Sequence, residues 1–561
     1  MKRYLLYILL LLMPLAIFGQ KLRNHNLSVG RNLDIFNQVY KNLHLLYVDT
    51  LNPQEVIGAG INAMLRTLDP YTEYYAESKD LKSFITGKYA GIGALIRYNM
   101  KEKNAVIDEP YEGTPSQEAG LKKGDIILSV DDSTMVGKDT KYVSNHLRGD
   151  AGTTFLLKIR RPSTGKEMKM KITRRTIKQA ETIPYTCLTD DSIGYIYLTQ
   201  FTEGCTQDVR RAFVDLKKRG MSSLILDLRG NGGGSEAEAA LLVNMFVPRG
   251  ITVVSNKGKF TQACHDYKTT LEPTDTIMPI VVLVNGETAS ASEITSGALQ
   301  DLDRAVIMGQ RTYGKGLVQM PIDLPYNTNL KVTTARYYIP SGRCIQAINY
   351  SSGKSQTYTE RIPDSLTHVF HTRGGREVRD GGGITPDIVL KSDTMPNIAY
   401  YLSGAGLDST EVMFTYVCDY IAAHPTIAPA SKFHLTDADY SEFKRRVLES
   451  GFTYDAISKK QLAELVKTAK FEGYYDDARE AFELLEKKLK HNIANELDRH
   501  RESIIQMLEQ DIVAAYYYQR GAIEAGLGKD KQYKEACQLL RHPDRYKAIL
   551  TKGEQSNDKN N

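Results

Sequence analysis

The pattern that most constrains the fold is a buried strand followed by a tight turn and a helix, which occurs twice within residues 190–340. The apolar run Leu224–Leu228 leads into the glycine-rich turn Gly230–Gly234 and then a helical pattern. The run Ile280–Val284 likewise precedes a helix that begins near Ser292. Short apolar runs bounded by turn residues are typical of buried strands. Their alternation with helices predicts an α/β layered core.

The regions on either side of this core have different periodicities. Residues 89–177 contain short runs bounded by turn residues, which predicts a unit of strands. Helical spacing of apolar residues occurs before it, from Asn32 to Leu68, and again beyond residue 392. There a single stripe runs from Ala478 to Ile493, which we interpret as a packing or self-association face.

The 561 residues are enough for three or four folded units. The predicted class is a multidomain α/β (α+β) protein with helical N- and C-terminal regions. The predicted regions are a leader over 1–19, an N-terminal helical region over 20–85, a strand unit over 86–178, an α/β core over 179–391, a C-terminal helical region over 392–552 and a disordered tail over 553–561.

Composition excludes several classes of protein. Hydrophobic residues make up 42% of the chain and charged residues 25%, which excludes collagen, a disordered chain and a polytopic membrane protein. The 72 Lys and Arg residues against 67 Asp and Glu residues leave a formal net charge of +5. Non-specific nucleic-acid binding needs a concentrated basic field. We therefore expect no nucleic-acid partner.

The first residues of the chain predict export. Lys2 and Arg3 precede an uncharged run from Tyr4 to Phe18, and Gly19 follows it. A basic start, an apolar stretch and a small residue at its end are typical of a secretory signal peptide, here cleaved near Gly19. The alternative is an uncleaved anchor, but the run is short for a membrane span of about 20 residues. We expect a periplasmic or cell-envelope protein.

Six cysteines are scattered along the chain, and none forms a C-x-x-C pair or lies near histidine at metal-ligand spacing. We therefore expect no metal site, and the motifs described below require no organic cofactor. Export permits disulfides, but the sequence does not choose among the many pairings. We expect mostly small buried residues, with Cys187 and Cys205 as the one candidate pair.

Ser290 lies in the segment Asn285–Ile294, between the end of the second buried strand and the start of a helix. Proteins of the α/β class place nucleophiles at such junctions, where backbone N–H groups and the helix dipole stabilise a developing anion. A plainer interpretation also fits, because Ser290 and Glu293 match the S-x-x-E capping box that begins a helix. This segment alone leaves both interpretations open.

The segment Gly309–Gln319 supplies a base for such a serine. No histidine lies in either segment, and the G-x-S-x-G elbow of α/β hydrolases is absent. A buried lysine with a depressed pKa can accept the proton instead, and Lys315 lies between two glycines, with Gln319 placed to orient it. The same segment matches a P-loop up to Lys315, but Gly316 stands where a P-loop needs Ser or Thr to hold magnesium.

Three blocks of sequence carry a family resemblance: Leu224–Gly234, Val281–Ile294 and Thr312–Gln319. They follow the strand unit, whose segment Glu118–Leu128 resembles a PDZ domain of the bacterial protease type. In this order the blocks resemble the C-terminal processing peptidases, or tail-specific proteases, a serine-lysine family. The resemblance covers about residues 30–390 and implies a crotonase-like α/β protease core preceded by a PDZ domain. Further matches are Leu68–Thr72, Pro340–Arg343 and Gly382–Asp387.

The resemblance implies a role for each catalytic motif residue. Ser290, the first serine of Ser-Ala-Ser-Glu, would be the nucleophile, and Lys315 of Gly-Lys-Gly the general base. Gln319, four residues later, would orient that lysine.

The family's oxyanion hole uses two backbone N–H groups. One follows the nucleophile and corresponds to Ala291, and the other belongs to the glycine-rich turn, where Gly233 or Gly234 corresponds to it. The family more often has Asn-Pro-Gly-Gly where this chain has three glycines after Asn231. The choice of glycine therefore stays open, and an ordinary strand-to-helix turn would use the same glycines.

A PDZ domain implies capture of a substrate's C-terminus. The loop formed by Gly91, Ile92 and Gly93 is expected to offer backbone N–H groups to the terminal carboxylate, while the peptide adds as a strand. His146 and Leu147 on the following helix are expected to line the side-chain pocket. Leu147 fits a core helix face equally well.

The sequence therefore predicts an exported serine endopeptidase that binds substrates by their C-terminal tails and processes or degrades envelope proteins. The resemblance also implies a homodimer assembled through the helical ends, and it leaves open whether an adaptor protein is needed. The alternative from another class is a catalytically silent PDZ scaffold that only captures C-termini. An intact serine, lysine and glutamine argue against that alternative.

Overall fold

The computed structural model describes residues 26–76, 88–178, 182–347, 362–391, 395–404, 410–454, 456–489 and 492–551. The predicted leader and the predicted disordered tail lie outside these residues. The N-terminal region consists of helix α1 (residues 26–46), helix α2 (Pro53–Leu65) and strand β1 (Glu73–Tyr75). Asn52 caps α2 by accepting a hydrogen bond from Gln54 N at 3.1 Å. Within the described part of the chain, no helix has the length and apolar character needed to cross a membrane.

The predicted strand unit is a small antiparallel domain. Its elements are β2 (Lys88–Gly91), β3 (Ala94–Asn99), β4 (Asn104–Pro110), α3 (Pro115–Glu118), β5 (Ile126–Val130), β6 (Ser133–Thr134), α4 (Thr140–Leu147), β7 (Thr154–Arg161), β8 (Lys166–Thr173) and β9 (Arg175–Lys178). One sheet has the order β3-β4-β5-β7-β8 with β6 on β5, and β2 pairs with β9 at the two ends of the domain. Strand β3 therefore lies at an edge of the sheet, and α4 packs beside it.

The α/β core follows the predicted alternation of strands and helices. Its elements are β10 (Tyr185–Leu188), β11 (Ile193–Tyr197), α5 (Cys205–Lys218), β12 (Ser223–Asp227), α6 (Glu236–Asn244), β13 (Thr252–Lys257), β14 (Asp266–Lys268), β15 (Ile280–Val284), α7 (Ala291–Asp301), β16 (Val306–Gly309), β17 (Leu317–Leu324), β18 (Thr328–Tyr338), β19 (Val369–His371), β20 (Glu377–Arg379) and β21 (Ile388–Val389). The predicted α/β multidomain class is confirmed.

The central sheet has the order β10-β11-β12-β15-β16-β21, in which only β10 pairs antiparallel to its neighbour. Both of its faces are apolar, which is why its strands read as continuous hydrophobic runs. Leu226 and Val282 pack on one side with α5, α6 and α7, whereas Ile225 and Val281 pack on the other side with the C-terminal end of the chain.

A second sheet joins the core to the N-terminal region. Its order is β1-β18-β13-β14, with β17 also paired to β18. In it, Glu73 of β1 lies opposite Lys331 of β18 in antiparallel register. The hairpin of β17 and β18 was not predicted from the sequence. Through β1, a segment that precedes the PDZ-like domain becomes part of the α/β core.

The C-terminal region is helical, as predicted. Its helices are α8 (Asn397–Leu402), α9 (Val412–Ala423), α10 (Asp437–Glu449), α11 (Ala456–Glu472), α12 (Arg479–Leu489), α13 (Ile493–Arg499), α14 (Arg501–Leu527), α15 (Lys531–Leu540) and α16 (Pro543–Leu550). Helices α15 and α16 cover the back of the central sheet, where the Tyr546 hydroxyl bonds both the N–H and the carbonyl of Ile280. Part of the C-terminal region therefore packs against the α/β core of the same chain.

The stripe from Ala478 to Ile493 is not one continuous helix, which corrects that prediction. Phe482, Leu485 and Leu489 belong to α12, whereas Ile493 begins α13. Leu485 stays 42% exposed, so the stripe does not pack along its length in this chain. The spacing of apolar residues correctly indicates helix on both sides, but the same spacing continues across the boundary between α12 and α13.

The PDZ-like domain is held against the C-terminal helices by buried charged groups. Arg97 Nη2 lies 2.8 Å from Glu411 Oε2, and Glu411 Oε1 accepts a hydrogen bond from Met100 N at 3.0 Å. Lys123 pairs with Asp108 of its own domain at 2.5 Å, and its Nζ lies 5.0 Å from the ring centroid of Phe414 in α9. Side chains from both regions close this contact, so the domain has a defined orientation.

All six cysteines are free thiols, which contradicts the candidate pair of Cys187 and Cys205. Cys205 packs in the cluster on the α5 side of the central sheet, whereas Cys187 belongs to the cluster on the opposite face. A sheet therefore separates the two sulfurs, and no local rearrangement could join them.

Candidate active site

Ser290 lies at the junction between β15 and α7, where the chain turns sharply. Its φ and ψ angles are 57° and −118°, a backbone conformation that L-residues rarely adopt and that costs about 1–3 kcal/mol. Its N–H donates to Glu293 Oε2 at 2.9 Å, as a capping box requires. The side chain is partly exposed. The cap interpretation therefore holds for Glu293, and it leaves the Ser290 hydroxyl in an accessible, strained turn.

Glu293 does more than cap the helix, because its carboxylate also receives the segment that contains Lys315. Thr312 Oγ1 donates to Oε1 at 2.5 Å, Gly314 N to Oε1 at 2.8 Å and Lys315 N to Oε2 at 2.9 Å. Burial raises the pKa of this fully buried carboxyl to about 7, against the lowering effect of the four hydrogen bonds. Glu293 thus joins the two predicted motifs. From the sequence, Glu293 is expected only to cap the helix. Nothing in the neighbouring residues indicates that its carboxylate also accepts hydrogen bonds from the segment that contains Lys315.

Tyr337 adds a second link between Ser290 and Lys315. Its hydroxyl donates to Lys315 O at 2.5 Å and lies 3.3 Å from Ser290 O. The ring is fully buried in the core. The backbones of the two residues are therefore neighbours, although the contacts among the described residues include no hydrogen bond between Ser290 Oγ and Lys315 Nζ. Tyr337 was not recognised from the sequence.

The Lys315 side chain has an environment that favours its neutral form. Burial lowers its pKa below the ordinary value, and the neighbouring Lys331 cation lowers it further. The negative charges of Glu293, Glu236 and Glu73 oppose this shift. Because the net direction is downward, a larger fraction of Lys315 is neutral at a given pH than for an exposed lysine.

Gln319 lies in β17 next to a register shift in the pairing of β17 with β18. Its Nε2 donates to Thr333 Oγ1 at 3.1 Å. No hydrogen bond between Gln319 and Lys315 occurs among the described residues, so its orienting role stays a prediction. The bulge changes the direction of the strand locally.

The glycine-rich turn lies against the start of α7. A Cβ atom built on Gly233 would come 2.6 Å from Ala289 O and 2.8 Å from Ala291 N, so only glycine fits there. The N–H of Gly233 already donates to Asn231 Oδ1 at 2.9 Å. Among the described residues, the N–H groups of Ala291 and Gly234 have no acceptor. Gly234 is therefore the freer donor of the two glycines.

Asn231 fixes this turn from within the core. Its Nδ2 donates to Leu198 O at 2.8 Å, and its carbonyl accepts from Ala289 N at 3.0 Å and Ser292 Oγ at 2.9 Å. The side chain is fully buried. Asn231 thereby holds the glycine turn and the Ser290 turn at a constant separation, a role that the sequence did not indicate.

The predicted tail-binding loop of the PDZ-like domain has an unoccupied donor. The N–H of Ile92 has no acceptor among the described residues, whereas the N–H of Gly93 faces the Tyr89 hydroxyl. Gly93 O instead accepts hydrogen bonds from Thr114 Oγ1 at 2.9 Å and Ser116 Oγ at 2.5 Å, which fixes the loop. Gly91 ends β2, and the edge strand β3 follows at Ala94.

The helix that faces β3 places the two predicted pocket residues differently. His146 is partly exposed, and its Nδ1 lies 2.9 Å from Tyr142 O. Leu147 is only 4% exposed and belongs to the domain core. Ile92 is buried in the same core. The core interpretation of Leu147 therefore describes its packing, and His146 stays beside the groove.

Three family models match separate parts of the chain. Peptidase family S41 matches residues 192–351, a PDZ domain matches 106–161, and the model described as "Probable PDZ-protease, C-terminal helical domain" matches 404–540. Together with the fold, these matches define a PDZ-containing protease.

Known proteins refine that class. A carboxy-terminal-processing protease of Bartonella bacilliformis is 33% identical over 406 residues, which cover 69% of this chain and 92% of that protein. The chain therefore belongs to the carboxy-terminal-processing serine proteases of peptidase family S41. A protein of Staphylococcus aureus named "Probable CtpA-like serine protease" is 32% identical over 333 residues, or 58% of this chain and 65% of that protein. The solved photosystem II D1 C-terminal processing protease is 27% identical, covers 63% of this chain and 86% of its own, and has a TM-score of 0.35.

Proposed function

We propose that this protease uses Ser290 as its nucleophile and Lys315 as its general base, in an exported enzyme that selects substrates by their C-termini. The observation that carries the proposal is the pair of links that make the two residues neighbours. Glu293 accepts hydrogen bonds from both backbone N–H groups, and Tyr337 contacts both carbonyls. The lowered pKa of Lys315 suits a base that must be neutral before it accepts a proton.

The reaction follows from this arrangement. Neutral Lys315 takes the proton of the Ser290 hydroxyl as its oxygen attacks the peptide carbonyl. The N–H groups of Ala291 and of Gly234 or Gly233 stabilise the oxyanion, each at about 3 kcal/mol. The Lys315 ammonium then protonates the leaving amine, and water hydrolyses the acyl-enzyme with Lys315 again as base.

Gln319 orients the lysine in this scheme. Because its Nε2 is engaged by Thr333, its Oε1 is the atom left to accept from the Lys315 ammonium after proton transfer. An amide that is held at one end limits the rotamers of the lysine that it contacts. Gln319 is therefore a positioning residue rather than an acid or a base.

Tail recognition follows from the loop donors of the PDZ domain. The N–H groups of Ile92 and Gly93 would bind the substrate's terminal carboxylate, and the residues before it would pair with the free edge of β3. His146 on α4 would contact a side chain near the C-terminus. Substrates presented in this way explain cleavage near tails.

The location and assembly of the enzyme belong to the same proposal. A basic, apolar leader at the start of the chain supports export to the periplasm or cell envelope. Helix α1 exposes large apolar side chains, among them Leu45 at 64% and Leu46 at 77%. Such a helix supports a dimer formed through the N-terminal end, and sedimentation of the purified protein with and without residues 26–46 tests it.

A cleavage assay tests the proposed dyad. We expect wild type to degrade an unfolded protein with a free apolar C-terminus, and Ser290→Ala and Lys315→Met each to lose at least 1,000-fold in kcat. The matched controls are Ser222→Ala and Lys259→Met, which replace exposed side chains of the same types. Both controls should retain wild-type rates.

Three results would count against parts of the proposal. If wild type and Ser290→Ala are equally inactive while both bind the tail, the chain is a silent PDZ scaffold. Activity that survives Lys315→Met removes the lysine as base. Equal cleavage of a peptide with a free C-terminus and one with an amidated C-terminus removes carboxylate recognition by the loop of Ile92 and Gly93.

A further inference from the structure

A tight turn just before β1 carries Tyr71 into the protease site. The buried carboxylate of Asp69 accepts hydrogen bonds from Tyr71 N, Thr72 N and Thr72 Oγ1, each at 2.8 Å. Three bonds to one side chain leave the turn a single conformation. The Asp69 carboxylate therefore fixes the backbone from which the Tyr71 ring projects.

The ring of Tyr71 covers the amine of Lys315. Lys315 Nζ lies 4.9 Å from the ring centroid, within the range of a cation–π contact. The Tyr71 hydroxyl is buried and lies beside the side chains of Tyr313 and Gln346. Burial raises the pKa of Tyr71 far above its ordinary value, so the hydroxyl stays protonated. The part of Tyr71 that contacts the Lys315 amine is the face of its aromatic ring.

The same turn also reaches Gln319. Thr72 Oγ1 accepts from Thr333 N at 3.2 Å and lies 3.3 Å from Thr333 Oγ1, which in turn accepts from Gln319 Nε2. Beyond the turn, β1 pairs with β18. One short segment therefore contacts Lys315 directly and Gln319 through Thr333, although it precedes the PDZ domain in the chain.

We propose that Tyr71 is a positioning residue for the general base: its ring, held by the Asp69 turn, closes one side of the Lys315 cavity against water and limits the positions of the amine. This inference rests on the proposed function of Lys315. It assigns the N-terminal turn to the active site rather than to a separate helical region.

The ring has two opposed effects on the pKa of Lys315, and burial determines the direction of the net shift. An aromatic face attracts the ammonium, which favours the charged form, whereas exclusion of water favours the neutral form. Burial is the largest cause of the lowered pKa of Lys315, so opening the cavity should raise that pKa. The other groups that face Lys315 are Lys331 and Tyr337 on β18, Glu73 on β1, Glu293 on α7 and Glu236 on α6.

The experiment compares Tyr71→Phe, Tyr71→Leu and Tyr71→Ala with Tyr74→Ala, a control on the neighbouring β1. The first readout is kcat/KM against pH with a tail-bearing peptide. The second is the pH dependence of Lys315 modification by a small amine-reactive reagent, followed by mass spectrometry in a Ser290→Ala background. The second readout needs no catalysis, so it remains informative even if the chain proves not to cleave.

We expect Tyr71→Phe and Tyr74→Ala to match wild type in both readouts. Tyr71→Ala should raise the apparent pKa of Lys315 by about one unit, which lowers kcat/KM about tenfold on the ascending limb of the pH profile. Tyr71→Leu keeps an apolar cover and should show no rise in pKa. If Tyr71→Ala melts far below wild type, Tyr71→Leu decides, because it keeps an apolar cover: an unchanged or lowered pKa of Lys315 supports the inference, and a rise of about one unit contradicts it.

Two results would overturn the inference. One is an unchanged pH dependence of Lys315 modification in folded Tyr71→Ala. The other is a loss in Tyr71→Phe as large as in Tyr71→Ala, since that would assign the effect to the hydroxyl. Failure of the proposed function gives a different pattern, in which cleavage does not respond to Ser290→Ala but Lys315 modification still responds to Tyr71→Ala.

Discussion

The region of the proposed Ser290–Lys315 dyad and the PDZ loop differ in the use of their backbone N–H groups. Around the dyad, the N–H groups of Ser290 and Lys315 donate to Glu293, and that of Gly233 donates to Asn231. In the PDZ loop, the N–H of Ile92 has no acceptor among the described residues, and the N–H of Gly93 faces the Tyr89 hydroxyl on β2 rather than a buried carboxylate.

The difference separates two tasks. Residues that perform chemistry need a fixed geometry, and buried hydrogen bonds to one acceptor supply it. A surface that captures varied tails needs donors left unsatisfied until the ligand arrives. If this distinction is correct, substitutions near the dyad should change kcat, and substitutions near the groove should change KM. The predictions below test that division.

The largest effect is expected for Glu293→Ala. It removes the acceptor of four hydrogen bonds, including those of Thr312 and Gly314, and each buried donor left unsatisfied costs about 1–3 kcal/mol. We expect a loss of kcat of at least 1,000-fold and a fall in melting temperature of more than 10 °C. Glu287→Ala, which removes an exposed carboxylate from the same segment, is the control. A Glu293→Ala protein with wild-type kcat would show that the hydrogen bonds to Glu293 do not organise the site.

Glu293 also predicts a pH dependence of stability. Burial raises its pKa from 4.5 to about 7, so the folded state keeps a proton that the unfolded state releases between these values. This group's contribution to stability is therefore complete below pH 4.5 and declines as the pH rises toward 7. The difference in unfolding free energy between wild type and Glu293→Gln, measured from pH 4.5 to 7.5, should fall with pH. A difference that rises over this range would contradict the shifted pKa.

Gly233→Ala should follow in size. Its added Cβ would lie 2.6 Å from Ala289 O, and its φ of 97° is unfavourable for alanine. The displaced turn should lower kcat about 100- to 1,000-fold through the oxyanion donors. Gly232→Ala is the matched control because a Cβ there meets open space. Equal activity of the two variants would show that the fit of this turn to α7 has no catalytic role.

The residues that the sequence predicts for the site all lie within single segments. Ser290 and Lys315 stand in short motifs beside a strand end, where local pattern and chemistry coincide. Tyr71 lies in the matching block Leu68–Thr72, but that block does not reveal its contact with Lys315, because the contact depends on β1 joining a distant strand. Local sequence cannot show which side chains a sheet brings together.

The errors in the fold have the same origin. The period of apolar residues from Ala478 to Ile493 continues over two helices, since a helix end does not interrupt the period. Cys187 and Cys205 are close in sequence but lie on opposite faces of the central sheet. The face on which a residue packs depends on the strand register, which spacing along the chain does not report.

Leu147→Ala and His146→Ala should separate packing from recognition on one helix. Leu147 is buried in the PDZ core, so its truncation should cost about 2–5 kcal/mol of stability. His146 is partly exposed, and its truncation should change stability by less than about 0.5 kcal/mol. For His146→Ala we expect a rise of about threefold in KM for a tail-bearing peptide, with kcat unchanged. A fall in kcat with KM unchanged would remove His146 from the groove.

The smallest effects are expected from the charged pair on the strands beneath Lys315. Lys331 lowers the pKa of Lys315, whereas Glu73, which lies 2.5 Å from Lys331, raises it. Lys331→Met should therefore move the ascending limb of the kcat/KM profile to higher pH by a few tenths of a unit, and Glu73→Gln should move it to lower pH. Because both shifts are Coulombic, they should shrink in 1 M salt. Shifts of the same sign in the two variants would mean that strand pairing, rather than charge, tunes the base.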